Sequence, residues 1–242
     1  MSLDQCADQY VLALTPRGAI VGLSDRADDA DSYLRAQARG LPTRRATVES
    51  ALTARPDIVV RYWGGDPRLL AALERRGVEI VEVAEANDFD AVEANIHRVA
   101  KALGAEARGD ALAGEMRRKL ASSSGAWRGA PALYMTPGGV TAGAGTLVDA
   151  VMRAAGLSNL EASPGFRELS LEMLALHPPR ALVLGFFDPT SLARTAWSPG
   201  QHVVVHRQAK SATLARVPGS MLGCPAWFAA DASAMLAARA PR

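Results

Sequence analysis

The sequence predicts an α/β fold in which parallel sheets are covered by helices and the chain is divided into two lobes. Two observations lead there. Short β-rich runs alternate with longer helical patterns along the 242 residues, the order from which parallel sheets are built. A segment of the first half also recurs in the second, as two copies of one supersecondary unit would require.

The elements follow in chain order. A first helix is expected where Cys6, Tyr10, Val11 and Leu14 fall on one face. Strands are expected at Ile20 to Leu23, Ile58 to Tyr62 and Val78 to Val83, with a helix before the last of these whose Leu69, Leu70 and Leu73 share a face. From Phe89, the apolar residues Val92, Ile96, Val99 and Leu103 keep helical spacing. Gly104 interrupts that pattern. A second helical stretch, Ala105 to Ala121, carries Leu112, Met116 and Leu120 and runs out in Ser122-Ser123-Ser124-Gly125. Further strands are expected at Ala132 to Met135 and Ala181 to Phe186. These readings place an N-terminal lobe at 1–103, a single long connecting helix at 104–125 and a C-terminal lobe at 126–242.

The repeat is specific. Glu49 to Pro56 leads into the strand Asp57 to Val60 and ends in Tyr62-Trp63-Gly64-Gly65, while Glu172 to Pro179 leads into Arg180 to Leu184 and ends in Gly185-Phe186-Phe187. Each copy has a glutamate near a helix start, a proline that stops the helix, a buried strand, and aromatics past the strand's carboxyl end. In open α/β sheets ligands sit beyond those ends. Tyr62 and Trp63 could offer stacking and apolar burial to a flat or macrocyclic ligand, with Gly64 letting it approach the backbone. The alternative is that the two rings close the core beneath the sheet.

Composition narrows the function classes. With 27 basic and 25 acidic residues the net charge is +2, and no clustered basic stripe marks a nucleic-acid surface. No apolar run approaches the roughly 20 residues of a membrane span. The loop Thr136-Pro137-Gly138-Gly139 and the later Gly143-Ala144-Gly145-Thr146 lack the Gly-Lys-Ser/Thr of a nucleotide-binding P-loop, so they read as turns that shape a ligand surface, with Thr136 among its contacts. His202 and His206 would share a face only on a helix, whereas Val203-Val204-Val205 favours a strand, and a third metal ligand is not evident. No metal and no cofactor are expected. Arg26, Arg44, Arg45, Arg61 and Arg167 lie on loops or strand ends where they could meet ligand oxygens or simply face solvent. No nucleophile, base and orienting acid form a recognisable set.

Several segments resemble one family. TVESALTARPDIVVRYWGG at Thr47 to Gly65, LLAALERRGVEIVEV at Leu69 to Val83, SLDQCADQYVLAL at Ser2 to Leu14, VTAGAGTLVDAVMRAAGLSN at Val140 to Asn159 and LSLEMLALHPPRALVL at Leu169 to Leu184 are similar, in that family's order, to the substrate-binding proteins of ABC importers for cobalamin and ferric siderophores. The cobalamin-binding pattern is nearest. The resemblance implies two Rossmann-like lobes joined by a rigid helix, and a non-enzymatic monomer that captures a corrinoid or ferric siderophore in an interlobe cleft for an inner-membrane permease. The alternative is an α/β enzyme that binds a nucleotide or sugar at the strand ends.

The same resemblance assigns residues. Glu49 and Glu172 map onto lobe-tip glutamates that dock on permease arginines, although carboxylates at helix N-termini are favoured in any case. Phe166 falls at a cleft tryptophan, Phe186 is the repeat partner of Trp63, and Met221 and Trp227 could form the second-lobe wall, with Trp227 equally placed for the core. Cys6 and Cys224 both begin helices that face the cleft in this fold. A disulfide between them and two separate core thiols both fit. The family's first strand starts a few residues before Ser2-Leu3, which implies a periplasmic protein whose secretion leader and part of that strand are missing from this chain.

Overall fold

The computed structural model describes residues 1–187 and 202–241. The chain forms two compact units, the first comprising Met1–Ala86, Asp90–Gly114 and Cys224–Trp227, the second Asn87–Phe89, Glu115–Gly223 and the chain from Phe228. Among the described residues, no helix is long and apolar enough to cross a membrane.

In the first unit, strands β1 (Leu23–Ser24) and β2 (Thr43–Arg44) pair in parallel, as do β3 (Ile58–Arg61) and β4 (Glu79–Glu82). Met1–Leu3 lies between the two pairs: Ser2 N donates to Gly22 O (3.1 Å), Val60 N to Met1 O (2.9 Å) and Leu3 N to Val60 O (3.1 Å). β1 starts later than Ile20 because Arg17–Ala19 winds into a 3-10 turn, with Ile20 N bonded to Arg17 O. The helices are α1 (Gln5–Leu14), α2 (Arg35–Ala38), α3 (Val48–Ala54), α4 (Pro67–Glu74), α5 (Phe89–Ala102) and α6 (Glu106–Ser123). Leu3, Ala51, Val59, Leu69 and Leu73 pack into one apolar core. Gly104, at φ 60°, separates α5 from α6, and α6 passes from the first unit to the second after Gly114.

α1 departs from the one-sided pattern: nine of its ten residues are buried. Its polar side chains must therefore find partners inside the protein. Gln9 bonds Gln5 O and Ser32 Oγ through Nε2, and accepts from Leu34 N at Oε1. Asp8 accepts from Ser2 Oγ (2.5 Å), Ser24 N (2.8 Å) and Ser24 Oγ (2.5 Å), tying α1 to the N-terminal segment and β1.

Burial outweighs those bonds and raises the Asp8 carboxyl from its ordinary 3.8 to about 6. Below pH ~4 folded and unfolded chains both hold this proton. Between there and pH ~6 only the folded chain holds it, so stability falls as pH rises through the window, by up to about 3 kcal/mol at roughly 1.4 kcal/mol per pKa unit. Asp8→Asn should remove that part of the slope. Denaturant unfolding of both proteins between pH 4 and 7.5 would test this; parallel profiles would refute it.

The second unit is built on β5 (Ala130–Met135), β7 (Leu157–Asn159), β9 (Ala181–Gly185) and β10 (Thr213–Val217). Its sheet order is β10-β9-β5-β7, with every pair parallel. Alternate residues serve opposite faces. Ala132, Tyr134, Ala181, Val183, Ala215 and Val217 pack with α7 (Leu147–Ala154) and α10 (Ala229–Ala237). Leu133, Met135, Leu182 and Leu184 pack with α8 (Leu171–Leu176) and α9 (Val203–Ser211). Burial on both faces explains the continuous apolar run of β9. A two-stranded antiparallel flap, β6 (Val140–Ala142) and β8 (Phe166–Glu168), completes the unit.

With Met1–Leu3 counted as a strand, the two units repeat one topology. The order β1, Met1–Leu3, β3, β4 corresponds to β7, β5, β9, β10. α3 and α4 correspond to α8 and α9. The valines 203–205 are helical against their β propensity, because Val205 fills the core and His202 Nδ1 caps α9 by accepting from Val204 N (3.2 Å).

Candidate functional site

Each unit presents a surface at the carboxyl ends of its strands. In the first, β3 runs straight into Tyr62-Trp63-Gly64. Their three successive N–H groups converge on one oxygen, Asp4 Oδ2, at 2.7, 3.2 and 2.9 Å. The other oxygen, Asp4 Oδ1, caps α1 by accepting from Cys6 N (3.1 Å) and Ala7 N (2.9 Å). Arg61 reaches forward to the same loop, its Nε donating to Gly64 O (2.8 Å) while its guanidinium lies 3.7 Å from Glu82.

This scaffold leaves Trp63 56% exposed. Tyr62 is half-buried and its Oη donates to Glu85 Oε2 (2.6 Å). Burial, then the bond to Glu85, pushes the phenol pKa well above its ordinary value, so it stays protonated at neutral pH. Gly64 needs correction. It is buried, and a Cβ there would overlap the carbonyl of Leu3. The missing side chain admits the chain's own first residues rather than a ligand.

In the second unit, Phe166 opens β8 opposite Ala142 and is 64% exposed. Thr136 closes a tight turn: its N donates to Val140 O (2.9 Å) and its Oγ1 accepts from Val140 N (3.1 Å). Phe186 follows β9 at φ 58°, and its ring lies so near Gly219 that a Cβ there would collide with it. Met221, in the turn that contains Gly219, packs against the core. The later glycine loop is a joint in the flap, with Gly143 N donating to Gly165 O (2.9 Å) and Thr146 capping α7.

Trp227 belongs elsewhere than the second-lobe wall. It lies in the first unit, 6% exposed, with its ring edge-on to Tyr10 at 5.4 Å. Two bonds hold its segment there: the disulfide Cys6–Cys224, and Tyr10 Oη donating to Pro225 O (2.6 Å). The sequence alone left both the disulfide and this placement open.

Glu49 and Glu172 occupy equivalent places. Each is the second residue of its helix, after the caps Thr47 and Ser170, and each is exposed. Of the arginines, Arg26 is engaged by Asp29 (2.9 Å) and Asp31 (3.5 Å), and Arg167 lies 3.7 Å from Glu161. Among the described residues, no cluster of three or more His, Cys, Asp or Glu side chains could hold a metal ion. Sequence reasoning missed Asp4 and Glu85. An aspartate directly ahead of a helical pattern is a capping signal that could have found Asp4 through its bonds to α1, though not through those to the loop.

Residues 1–209 match the family model described as periplasmic binding protein. Comparison with curated protein sequences finds no significant match. Among solved structures, the chain is similar to the periplasmic heme-binding protein RhuT from Roseiflexus sp. RS-1, at 24% identity and TM-score 0.73, covering 98% of this chain and 95% of that one. A periplasmic heme-binding protein from Pseudomonas aeruginosa matches at 24% identity and TM-score 0.71, covering 99% and 91%. The periplasmic vitamin B12 binding protein BtuF of Vibrio cholerae matches at 19% identity and TM-score 0.69, covering 98% and 94%. At these identities the structural matches speak for the fold.

Proposed function

The chain belongs to the periplasmic binding protein family, the solute-binding proteins of ABC importers rather than enzymes, and we propose that its cargo is a tetrapyrrole, a corrinoid or a haem. One observation carries the reading. Among the described residues, the large exposed aromatic side chains are Trp63, just past the carboxyl end of β3, and Phe166, which opens β8 of the flap. Exposed rings on a rigid loop suit a broad, flat, conjugated ligand, which gains both apolar burial and stacking. The heme-binding and B12-binding proteins of the same fold support this class.

The protein acts as a monomer in the periplasm and hands its cargo to an inner-membrane permease, with Glu49 and Glu172 as docking carboxylates. Tyr62, Trp63, Phe166 and Phe186 provide ligand contacts, with Thr136 and Met221 beside them. Of these four aromatics Tyr62 alone carries an oxygen, and its hydroxyl is held by Glu85.

Titration with hemin, cyanocobalamin and ferrichrome, followed by tryptophan quenching and by absorbance, tests the reading. One of the two tetrapyrroles should bind at micromolar concentration or tighter. Trp63→Ala should weaken it by about 30-fold, the equivalent of ~2 kcal/mol of lost ring burial. Binding of ferrichrome alone, or a Trp63→Ala variant that binds as well as the parent, would overturn it.

A further inference from the structure

We infer that Asp4 is a positioning residue for ligand capture, which presets the loop carrying Tyr62 and Trp63; this rests on the reading of Trp63 as a ligand contact. A helix cap needs one acceptor oxygen, and Asp4 uses Oδ1 for that purpose. Its second oxygen takes all three N–H groups of Tyr62, Trp63 and Gly64. Three successive amides turned toward one point form an anion-binding concavity. Here a carboxylate of the chain itself fills it from beneath, at 1% exposure.

Two consequences follow. The loop amides are spent, so the ligand is met by side chains and not by the backbone. The backbone from which the Trp63 side chain springs is set before any ligand arrives, because its own amide and those of both neighbours are bonded to the same atom. Gly64 adds to this, since its contact with Leu3 lets the loop lie directly on the residue preceding Asp4. Arg61 closes the loop from the other end at Gly64 O. A preset loop spares the ordering cost that a mobile one would incur on binding.

Asp4→Ser separates the two roles, because serine caps a helix as well as aspartate does but has no second oxygen for the loop. The control is Thr47→Ala, which deletes the cap of α3, where Thr47 Oγ1 accepts from Ser50 N (3.3 Å), at a residue outside that loop. The chain is labelled with 5-fluorotryptophan and the Trp63 resonance is assigned by its absence in Trp63→Phe. In Asp4→Ser that resonance should shift or broaden without ligand, and affinity for whichever of hemin and cyanocobalamin the parent binds should fall at least tenfold. Thr47→Ala should change neither, even where it lowers the melting temperature as much. An unchanged Trp63 resonance in Asp4→Ser overturns the inference. Asp4→Asn, which preserves size and one acceptor oxygen, serves the same test if the serine variant does not fold. Should the parent protein take up neither hemin nor cyanocobalamin, the tetrapyrrole reading fails, and the ligand-free resonance still decides the role of Asp4.

Discussion

Replacing Cys6 and Cys224 together by alanine should lower stability by about 5 kcal/mol and the melting temperature by roughly 10–20 °C. The disulfide joins residues 218 positions apart, and cross-linking so distant a pair removes a large amount of freedom from the unfolded chain. By the loop-entropy relation the effect grows with the logarithm of loop length. Locally, the bond holds Cys224–Trp227 in the first unit, where the segment would otherwise depend on the Tyr10–Pro225 hydrogen bond and the edge-on contact of Tyr10 with Trp227. Those contacts soften the loss without replacing the constraint. Thermal unfolding of the oxidised protein, the same protein with a phosphine reductant, and the double alanine variant should give one high and two low midpoints. Three coincident midpoints would rule the prediction out.

Reversing charge at both Glu49 and Glu172 should abolish transport in cells while leaving binding of the soluble protein unchanged. Both carboxylates are exposed second residues of short helices capped by Thr47 and Ser170, so neither holds up a core. Their like placement in the two repeats suits a pair of contacts on one partner, and arginine in their place would set positive charge against the basic groups they are proposed to meet. Each single reversal should reduce uptake, and the double more so. A double variant with normal uptake would remove the docking role; one that loses ligand affinity would move the two glutamates into the binding surface instead.

Much of the fold was legible because hydrophobic spacing reports burial directly. The run from Phe89 to Leu103 became α5, and the repeated segments became α3 with β3 and α8 with β9. Periodicity found α1 but not how deeply it is buried. Nine of its ten residues are buried, so its polar residues do not mark a solvent face, and in the helical run 203–205 it is Val205 and Val204 that pack on the core while Val203 stays exposed.

The sequence by itself determined the alternation of elements, the internal repeat and the aromatic residues that follow its two strands, since each is a property of neighbours along the chain. Only the tertiary structure decided that Gly64 faces Leu3 rather than ligand, that Trp227 lies in the first unit, that Cys6 and Cys224 are joined, and that one aspartate serves both a helix and a loop. Asp4 meets Gly64 across 60 positions, and Cys6 meets Cys224 across 218. Contacts so distant in the chain leave no periodic trace, because they arise from the packing of whole elements rather than from the spacing within any one of them.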